Sequence, residues 1–236
     1  MLQIRKSLER GYAQHGWLES FHSFSFSSYY DPKHMGFGPL RVINEDWVQP
    51  MTGFGTHGHK DMEIITYMLG GELSHKDSTG GGSAIKPGQV QRMSAGKGIR
   101  HSEMNQHKTD VAHLLQIWIE PAVMGVEPGY KDHDLDISTI TNKLGLVVTG
   151  DNSEAERLNI AFIYQDAKMY AGRLNAQTVT LPMDTARKGY LHLAKGKAIV
   201  NGQTLETGDA LLMAQESELK IEVEDQAEVL FFDLPA

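Results

Sequence analysis

Short runs of apolar and β-branched residues recur along the chain, with turn-forming residues between them. Runs of about four to eight such residues are typical of β-strands. Clear examples are "MEIITYML", "GQVQRMSAG", "AHLLQIWIEP", "NIAFIYQ", "TVTLPM", "GYLHLAKG", "KAIVNG", "DALLMA", "ELKIEVE" and "EVLFFDLP". Many short strands joined by turns predict an all-β protein, built as a sandwich or barrel.

One stretch departs from this pattern. Residues 124–155 are polar and contain several glycines, so we expect the connection between two domains there. The predicted domains are residues 1–130 and residues 131–236. The segment "DNSEAERL" is the one predicted helix, because an Asp or Asn cap precedes acidic residues.

The two halves of the chain share a pattern of glycines, each of which ends a strand or precedes one. These glycines are Gly70 and Gly88 in the first half, and Gly196 and Gly208 in the second. At matching offsets the first half carries His57, His59, His101 and Glu103, and the second carries Met183, Thr185, Ile221 and Val223. If the halves are repeats, only the first is built to hold polar ligands.

The polar residues of the first half occur in two pairs, each with one residue between its members. In a β-strand, residues i and i+2 face the same side, about 6.5–7 Å apart. His57 therefore faces the same side as His59, and His101 the same side as Glu103. If the two strands come together in the barrel, three imidazoles and one carboxylate surround a single point. We interpret this set as a metal site.

The donor atoms limit the choice of metal. Imidazole and carboxylate ligands without sulfur suit iron, manganese, cobalt, nickel, copper or zinc rather than calcium or magnesium. Structural zinc sites prefer thiolates, and the chain has no cysteine. An ion held by four side chains keeps coordination positions open for water, substrate or dioxygen, which is typical of a reactive site.

Charge and composition exclude several classes of function. The chain has 22 Lys and Arg against 30 Asp and Glu, a net charge of -8, and no run of basic residues that would track a phosphate backbone. Direct binding of nucleic acid is therefore disfavoured. Without cysteine there are no disulfides. Neither a signal-peptide core nor a stretch of about 18 apolar residues occurs, which predicts a soluble cytoplasmic protein.

For the remaining candidate residues the sequence gives weaker grounds for a functional role. Gln116, which shares a strand face with Leu114 and Trp118, either lines a pocket or is a hydrogen-bonded core residue, whereas His113 faces the other way. Histidines at strand ends are usually exposed, and we expect this of His22 and His75. Four phenylalanines are possible walls for an aromatic substrate, although aromatic residues on strands belong more often to the core. They are Phe24, Phe26, Phe37 and Phe54.

The glycine-rich segment "STGGGS" lacks the lysine and the following helix of a phosphate-binding loop, so we interpret it as a hairpin tip.

Two spacings resemble the cupin motifs. They are His57-x-His59-x3-Glu63-x6-Gly70, and Gly81-x5-Pro87 followed by His101. Longer phrases are similar to the pirin family, in particular to bacterial members with quercetin 2,3-dioxygenase activity. These phrases are "HGWLESFHSFSF", "YYDPKHMGFGPLRVINED", "GFGTHGHKDMEIITYML", "MSAGKGIRHSE", "LLQIWIEP" and "VLFFDLP". The similarity is dense over residues 5–121 and thin beyond them.

The resemblance implies a bicupin, in which two β-sandwich cupin domains follow one another and only the N-terminal one binds a divalent metal, usually Fe(II). The implied ligands are His57, His59, His101 and Glu103. In ordinary cupins the glutamate of the first motif completes the metal shell, and Glu63 occupies that position here. In pirin-like proteins the carboxylate of His-x-Glu takes this role instead. We therefore expect Glu103 to bind the metal, and Glu63 to be a structural residue or to support the ligands from behind.

The expected activity is that of a metal-dependent dioxygenase that opens flavonol-type substrates such as quercetin. Glu103, or Glu63 if it is free, is the candidate base for the substrate hydroxyl. Fe(II) is the implied metal, with Mn, Co, Ni, Cu and Zn as alternatives. The alternative function is that of a metal-binding regulator acting through a protein partner, which the acidic charge favours over DNA. The family implies a monomer.

Overall fold

The computed structural model describes all 236 residues and is built almost entirely of antiparallel strands in three sheets. The two α-helices are α1 (Ile137–Ile140) and α2 (Asn152–Leu158), and Ser7–Glu9 forms a short 3-10 helix. In chain order the strands are β1 (Leu2–Arg5), β2 (Gly11–Gln14), β3 (Leu18–His22), β4 (Leu40–Val48), β5 (Thr52–His59), β6 (Glu63–Gly70), β7 (Leu73–Asp77), β8 (Gly82–Ile85), β9 (Gln89–Ser94), β10 (Ile99–Asn105), β11 (Ala112–Ile119), β12 (Gly129–Asp134), β13 (Gly145–Thr149), β14 (Ala161–Phe162), β15 (Lys168–Pro182), β16 (Lys188–Val200), β17 (Gln203–Glu206), β18 (Ala210–Ala214) and β19 (Glu218–Leu234).

The chain folds into two compact units, and neither is one continuous segment. The N-terminal unit comprises Gly11–Leu135 and Ala161–Gln165. The C-terminal unit comprises Met1–Arg10, Asp136–Ile160 and Asp166–Ala236. The division into residues 1–130 and 131–236 stays a prediction.

Two sheets make up most of the N-terminal unit. The small sheet has the strand order β5-β10-β7-β8, and the large sheet has the order β12-β9-β6-β11-β4-β3-β2. Apolar residues such as Met68, Leu73 and Leu114 form a core. On β10 the side chains at alternate positions are buried, and two of these are the polar residues His101 and Glu103. The inner faces of both sheets therefore enclose polar groups as well as a core.

The C-terminal unit contains one sheet with the order β1-β18-β16-β19-β15-β13, and β17 pairs with β16. The sequence predicted two pairs of short strands that the structure does not keep separate, and this prediction was wrong. The first pair is "GYLHLAKG" and "KAIVNG", and the second is "ELKIEVE" and "EVLFFDLP". Each pair is a single long strand, β16 or β19, because register shifts let the pairing continue past the turn-like residues. Ile221 and Val223 lie in the apolar core of this unit.

The predicted helix is confirmed as α2. The side chain of Asp151 accepts hydrogen bonds from the backbone N–H groups of Ser153 and Glu154, which satisfies two groups that have no partner inside the helix. Asn159 ends the helix in the left-handed conformation. No helix of the chain has the length and apolar surface needed to cross a membrane.

Candidate metal centre and its cavity

The two predicted pairs lie on neighbouring strands of the small sheet. His57 on β5 is directly opposite His101 on β10, and their Nε2 atoms are 3.0 Å apart. The ring of His59 lies 4.8 Å from that of His57 and 4.9 Å from that of His101, between centroids. One ring nitrogen of each residue falls within 4.8 Å of the others. The fold therefore brings the three imidazoles together.

A register shift separates the two members of the second pair. His101 pairs with His57, whereas Glu103 pairs with Phe54, so β5 uses one more residue than β10 over this interval. Such a β-bulge re-aims the side chains beside it. The ligand atoms of Glu103 group with those of His101 and of an additional histidine, His75. His101 thus belongs to both groups of potential ligands.

The carboxyl group of Glu103 is held by an amide. Nε2 of Gln116 donates to both oxygens of Glu103, at 3.1 and 3.2 Å, and Oγ1 of Thr66 donates to Oε1 of Gln116 at 3.1 Å. Burial raises the pKa of Glu103 to about 7, against the opposing effect of the Gln116 hydrogen bond. Of the two roles considered for Gln116, the structure shows that it lines the cavity, and it also anchors a candidate ligand.

Glu63 lies elsewhere. It belongs to neither group of potential ligands, and its Oε2 accepts a hydrogen bond from Oγ of Ser94 at 2.7 Å. Burial raises the pKa of Glu63 to about 7, although the Ser94 hydrogen bond and the charge of Arg92 act in the opposite direction. Its surroundings are those of a buried residue of the large sheet.

His75 and Asp77 form a further pair that the sequence analysis missed. His75 is 4 % exposed, so the expectation that it is exposed was wrong, and His22 is equally buried. Nδ1 of His75 lies 3.3 Å from Nδ1 of His101, and its Nε2 lies 2.9 Å from Oδ2 of Asp77. The available signal was the His-x-Asp spacing, which places both side chains on one face of β7.

Hydrogen bonds fix which ring nitrogens carry protons. Nδ1 of His57 lies 2.8 Å from the carbonyl oxygen of Gly55, which can only accept, so Nδ1 donates, and in the neutral ring it is Nε2 that has the lone pair. On the other side Asp77 accepts from Nε2 of His75. Nδ1 of His75 therefore accepts from Nδ1 of His101, and Nε2 of His101 also keeps its lone pair.

The charge state of the cluster suits a metal ion. Burial, reinforced by neighbouring imidazoles, lowers the pKa of His59 to about 4 and that of His101 to about 3. Both rings are therefore neutral near pH 7 and offer lone pairs. Nε2 of His57 and Nε2 of His101 lie 3.0 Å apart, close enough to share a proton in a hydrogen bond or to bind one cation together. The residues present thus fit a divalent transition metal.

A cavity of about 560 Å³ opens onto the imidazoles. Its apolar lining is formed by Trp17, Leu18, Phe26, Phe54, Ile64 and Trp118. Its polar lining away from the histidine cluster includes Ser20, His22, Asn44, Asp46 and Gln116. The interpretation of Phe26 and Phe54 as possible walls agrees with this lining, whereas Phe24 is a buried core residue. The volume and the aromatic walls suit a flat molecule of a few rings.

His113 has a structural environment. Its Nε2 lies 2.9 Å from Oε1 of Glu45, and its ring stacks on Trp47 with centroids 4.2 Å apart. These contacts lie on the opposite face of β11 from Gln116, as the alternation predicts.

Two facing antiparallel sheets with a histidine cluster on the inner face define the N-terminal unit as a cupin. The chain belongs to the pirin family: the model of the Pirin family matches residues 3–119, and that of the quercetinase C-terminal cupin domain matches residues 151–234. Both the predicted family and the predicted all-β bicupin fold are thereby confirmed.

Individual relatives extend over the whole chain. The quercetin 2,3-dioxygenase of Escherichia coli K12 is 42 % identical over 236 residues, covering 100 % of this chain and 99 % of that protein. A pirin-like protein of Caulobacter vibrioides is 38 % identical over 231 residues, covering 97 % of this chain and 98 % of that protein. The crystal structure of the bacterial pirin YhhW from Escherichia coli in complex with nickel(II) has a TM-score of 0.92 and 41 % identity, covering 100 % and 99 % of the two chains.

Proposed function

We propose that the protein is a metal-dependent dioxygenase that opens flavonol-type substrates such as quercetin with dioxygen. The observation that carries this proposal is the convergence of His57, His59 and His101 at the wall of a cavity with aromatic sides. Relatives that bear the name quercetin 2,3-dioxygenase support it.

The proposed metal ligands are His57, His59, His101 and Glu103. We propose Fe(II) as the ion, and the same donor set accepts Mn, Co, Ni, Cu or Zn. The nickel(II) complex of a relative supports a divalent ion in this family. When bound, the ion supplies a Lewis acid and a template that bring the substrate oxygen and dioxygen together.

The side chains of the protein supply proton transfer and positioning. A carboxyl oxygen of Glu103 takes the proton of the flavonol 3-hydroxyl. Gln116 keeps that carboxyl group in place through its two hydrogen bonds. The apolar walls hold the rings and exclude water. Ring opening takes up both atoms of dioxygen and releases carbon monoxide.

The test combines metal analysis with turnover. The purified protein is analysed for bound metal, and oxygen uptake is followed with quercetin as substrate. We expect turnover that is lost in His101→Ala and retained in His107→Ala, which removes an exposed histidine outside the cavity. Bound metal without turnover would refute the enzymatic function, and turnover in His101→Ala would refute the site.

A second candidate function is that of a metal-containing regulator that binds a protein partner. The net charge of -8 and the partial exposure of His57 and His59 favour it, because the charge of a bound ion would then influence the surrounding surface. In that case affinity for the partner should differ between the oxidised and the reduced metal, and equal affinities would contradict a redox switch.

A further inference from the structure

Four polar side chains form a block on the cavity wall. Ser20 on β3 is directly opposite Asp46 on β4, and His22 on β3 is directly opposite Asn44 on β4. All four residues are buried and line the cavity that contains the histidine cluster. A polar block in an otherwise aromatic cavity is the kind of feature that orients a ligand.

Two atoms of this block lack a hydrogen-bond partner within the protein. Oγ of Ser20 donates to Oδ1 of Asp46, and Nδ1 of His22 lies 2.8 Å from Oδ1 of Asn44. The side chains of Asp46 and Asn44 make no other hydrogen bond within the protein, and each residue is 3 % exposed. Oδ2 of Asp46 and Nδ2 of Asn44 therefore remain an acceptor and a donor without partners. Neither atom is fully enclosed by protein, so both reach the cavity, where a ligand that supplies a donor and an acceptor can pair with them.

The block lies beside the candidate metal centre. Gln116 on β11, which donates to Glu103, is directly opposite Asn44 on the neighbouring strand β4. Strands in a sheet are about 4.8 Å apart, so β4 and β3 lie roughly 5 and 10 Å to one side of Gln116. A flat molecule with one oxygen at the histidine cluster thus has room to place its other end against this block.

We infer that Asn44 and Asp46 recognise a vicinal diol on the aromatic ring of the substrate that is remote from the metal. One phenolic hydroxyl donates to Oδ2 of Asp46, and the neighbouring oxygen accepts from Nδ2 of Asn44. Ser20 and His22 hold these two side chains in place. The inference rests on the proposed function, and it narrows the substrate class to flavonols that carry a catechol ring.

Equilibrium binding tests the inference without relying on turnover. Calorimetry in the absence of dioxygen compares quercetin, whose remote ring carries a vicinal diol, with kaempferol, which has one hydroxyl there, and galangin, which has none. For the wild-type protein we expect quercetin to bind at least tenfold more tightly than galangin, with kaempferol between them. Equal affinities for the three compounds would overturn the inference and leave the proposed function standing. Failure to bind any of them would overturn both.

Variants identify the residues responsible. Asp46→Asn places an amide N–H group where an acceptor is needed, and Asn44→Ala removes the donor, so each should reduce the preference for quercetin over galangin to about twofold. Glu45→Gln is the matched control, because it neutralises a carboxyl group of the same strand on the opposite face, and it should retain the preference. Melting temperatures verify that each variant is folded. A preference that persists in both Asp46→Asn and Asn44→Ala would overturn the inference.

The same binding measurements on metal-free protein are an independent test. They are needed because a catechol can also chelate a metal ion. A preference for quercetin that remains without metal supports recognition by the protein. A preference that requires metal and persists in Asp46→Asn would assign the diol to the ion and overturn the inference.

Discussion

Nδ1 of His75 lies 3.3 Å from Nδ1 of His101, and Asp77 accepts from the other nitrogen of His75 at 2.9 Å. A candidate metal ligand is thus connected through a second imidazole to a buried carboxylate. Burial of Asp77 acts to raise its pKa, but hydrogen bonds from Thr79 and His75 hold the pKa below its usual value. Asp77 is therefore ionised near neutral pH and fixes the tautomers of both rings.

We predict that Asp77→Asn weakens metal binding. The amide can present an N–H group to His75, which reverses the tautomer chain and places a proton on the nitrogen of His101 that faces His57. Loss of a hydrogen-bond partner behind a metal ligand typically costs 10- to 100-fold in affinity, and we expect about that range here. Competition with a chromophoric chelator measures it. Asp110→Asn is the matched control, since Asp110 pairs with the exposed His107. Unchanged affinity in Asp77→Asn would contradict the role of this chain of contacts.

Gln116→Leu should lower kcat/KM for quercetin by about tenfold or more. The substitution removes the two hydrogen bonds that position the carboxyl group of Glu103, and hydrogen bonds to charged groups contribute about 1.5–3 kcal/mol each. Thr66→Val, which acts one contact further away, should have a smaller effect in the same direction. Steady-state oxygen uptake measures both variants. An equal or larger loss in Thr66→Val would show that the amide is not the residue that orients Glu103.

Gly53→Ala should disturb the site through the backbone. A Cβ atom at Gly53 would lie 2.1 Å from the carbonyl oxygen of Glu103, so β5 and β10 must move apart beside a candidate ligand. Such overpacking typically destabilises a protein by about 1–3 kcal/mol. We expect a lower free energy of unfolding and weaker metal binding. Gly55→Ala is the control, because a Cβ atom there meets nothing within 4 Å. Equal stability of the two variants would contradict this packing.

The buried carboxyl group of Glu63 gives a prediction for the pH dependence of stability. Its pKa rises from 4.5 to about 7 on folding, chiefly through burial. Below pH 4.5 the group is protonated in both states. Between pH 4.5 and 7 the unfolded chain releases the proton and the folded chain keeps it, so stability falls as pH rises. At 1.36 kcal/mol per pKa unit the full loss above pH 7 is about 3 kcal/mol.

Glu63→Gln should remove this loss. Urea unfolding of the metal-free protein should show the variant gaining stability relative to wild type as the pH rises from 4.5 to 8. Glu127→Gln, which alters an exposed carboxylate paired with Lys97, should run parallel to wild type. A difference between Glu63→Gln and wild type that does not vary with pH would contradict the raised pKa.

Alternation along single strands was sufficient to predict part of the site. It places His57 with His59, and His101 with Glu103, on common faces, because the period of two is a local property of the backbone. The β-bulge that separates the pairing of His101 from that of Glu103 depends on which strands become neighbours. The same holds for His75, whose role follows from the pairing of β7 with β10. The bulge and the contact between His75 and His101 are therefore not encoded by a local pattern, although the His-x-Asp spacing marks His75 and Asp77 as a pair on one face.

The polar wall of the cavity was not predictable for a related reason. Asn44, Glu45 and Asp46 are consecutive polar residues on β4, so alternation does not identify the face that lines the cavity. That choice depends on the opposite strand, where Ser20 and His22 supply the partners. In the C-terminal unit, strand β16 continues past Gly196. This also depends on a neighbouring strand, because β19 stays paired with β16 across a register shift.

The most direct test of the central claim is anomalous X-ray diffraction from crystals of the metal-loaded protein, recorded at the absorption edge of the metal that elemental analysis identifies. The account predicts one divalent ion in the N-terminal unit, bound by nitrogen atoms of His57, His59 and His101 and by a carboxylate oxygen of Glu103. An anomalous peak away from these residues, or an ion bound by His75 and Glu103 without His57 and His59, would contradict it.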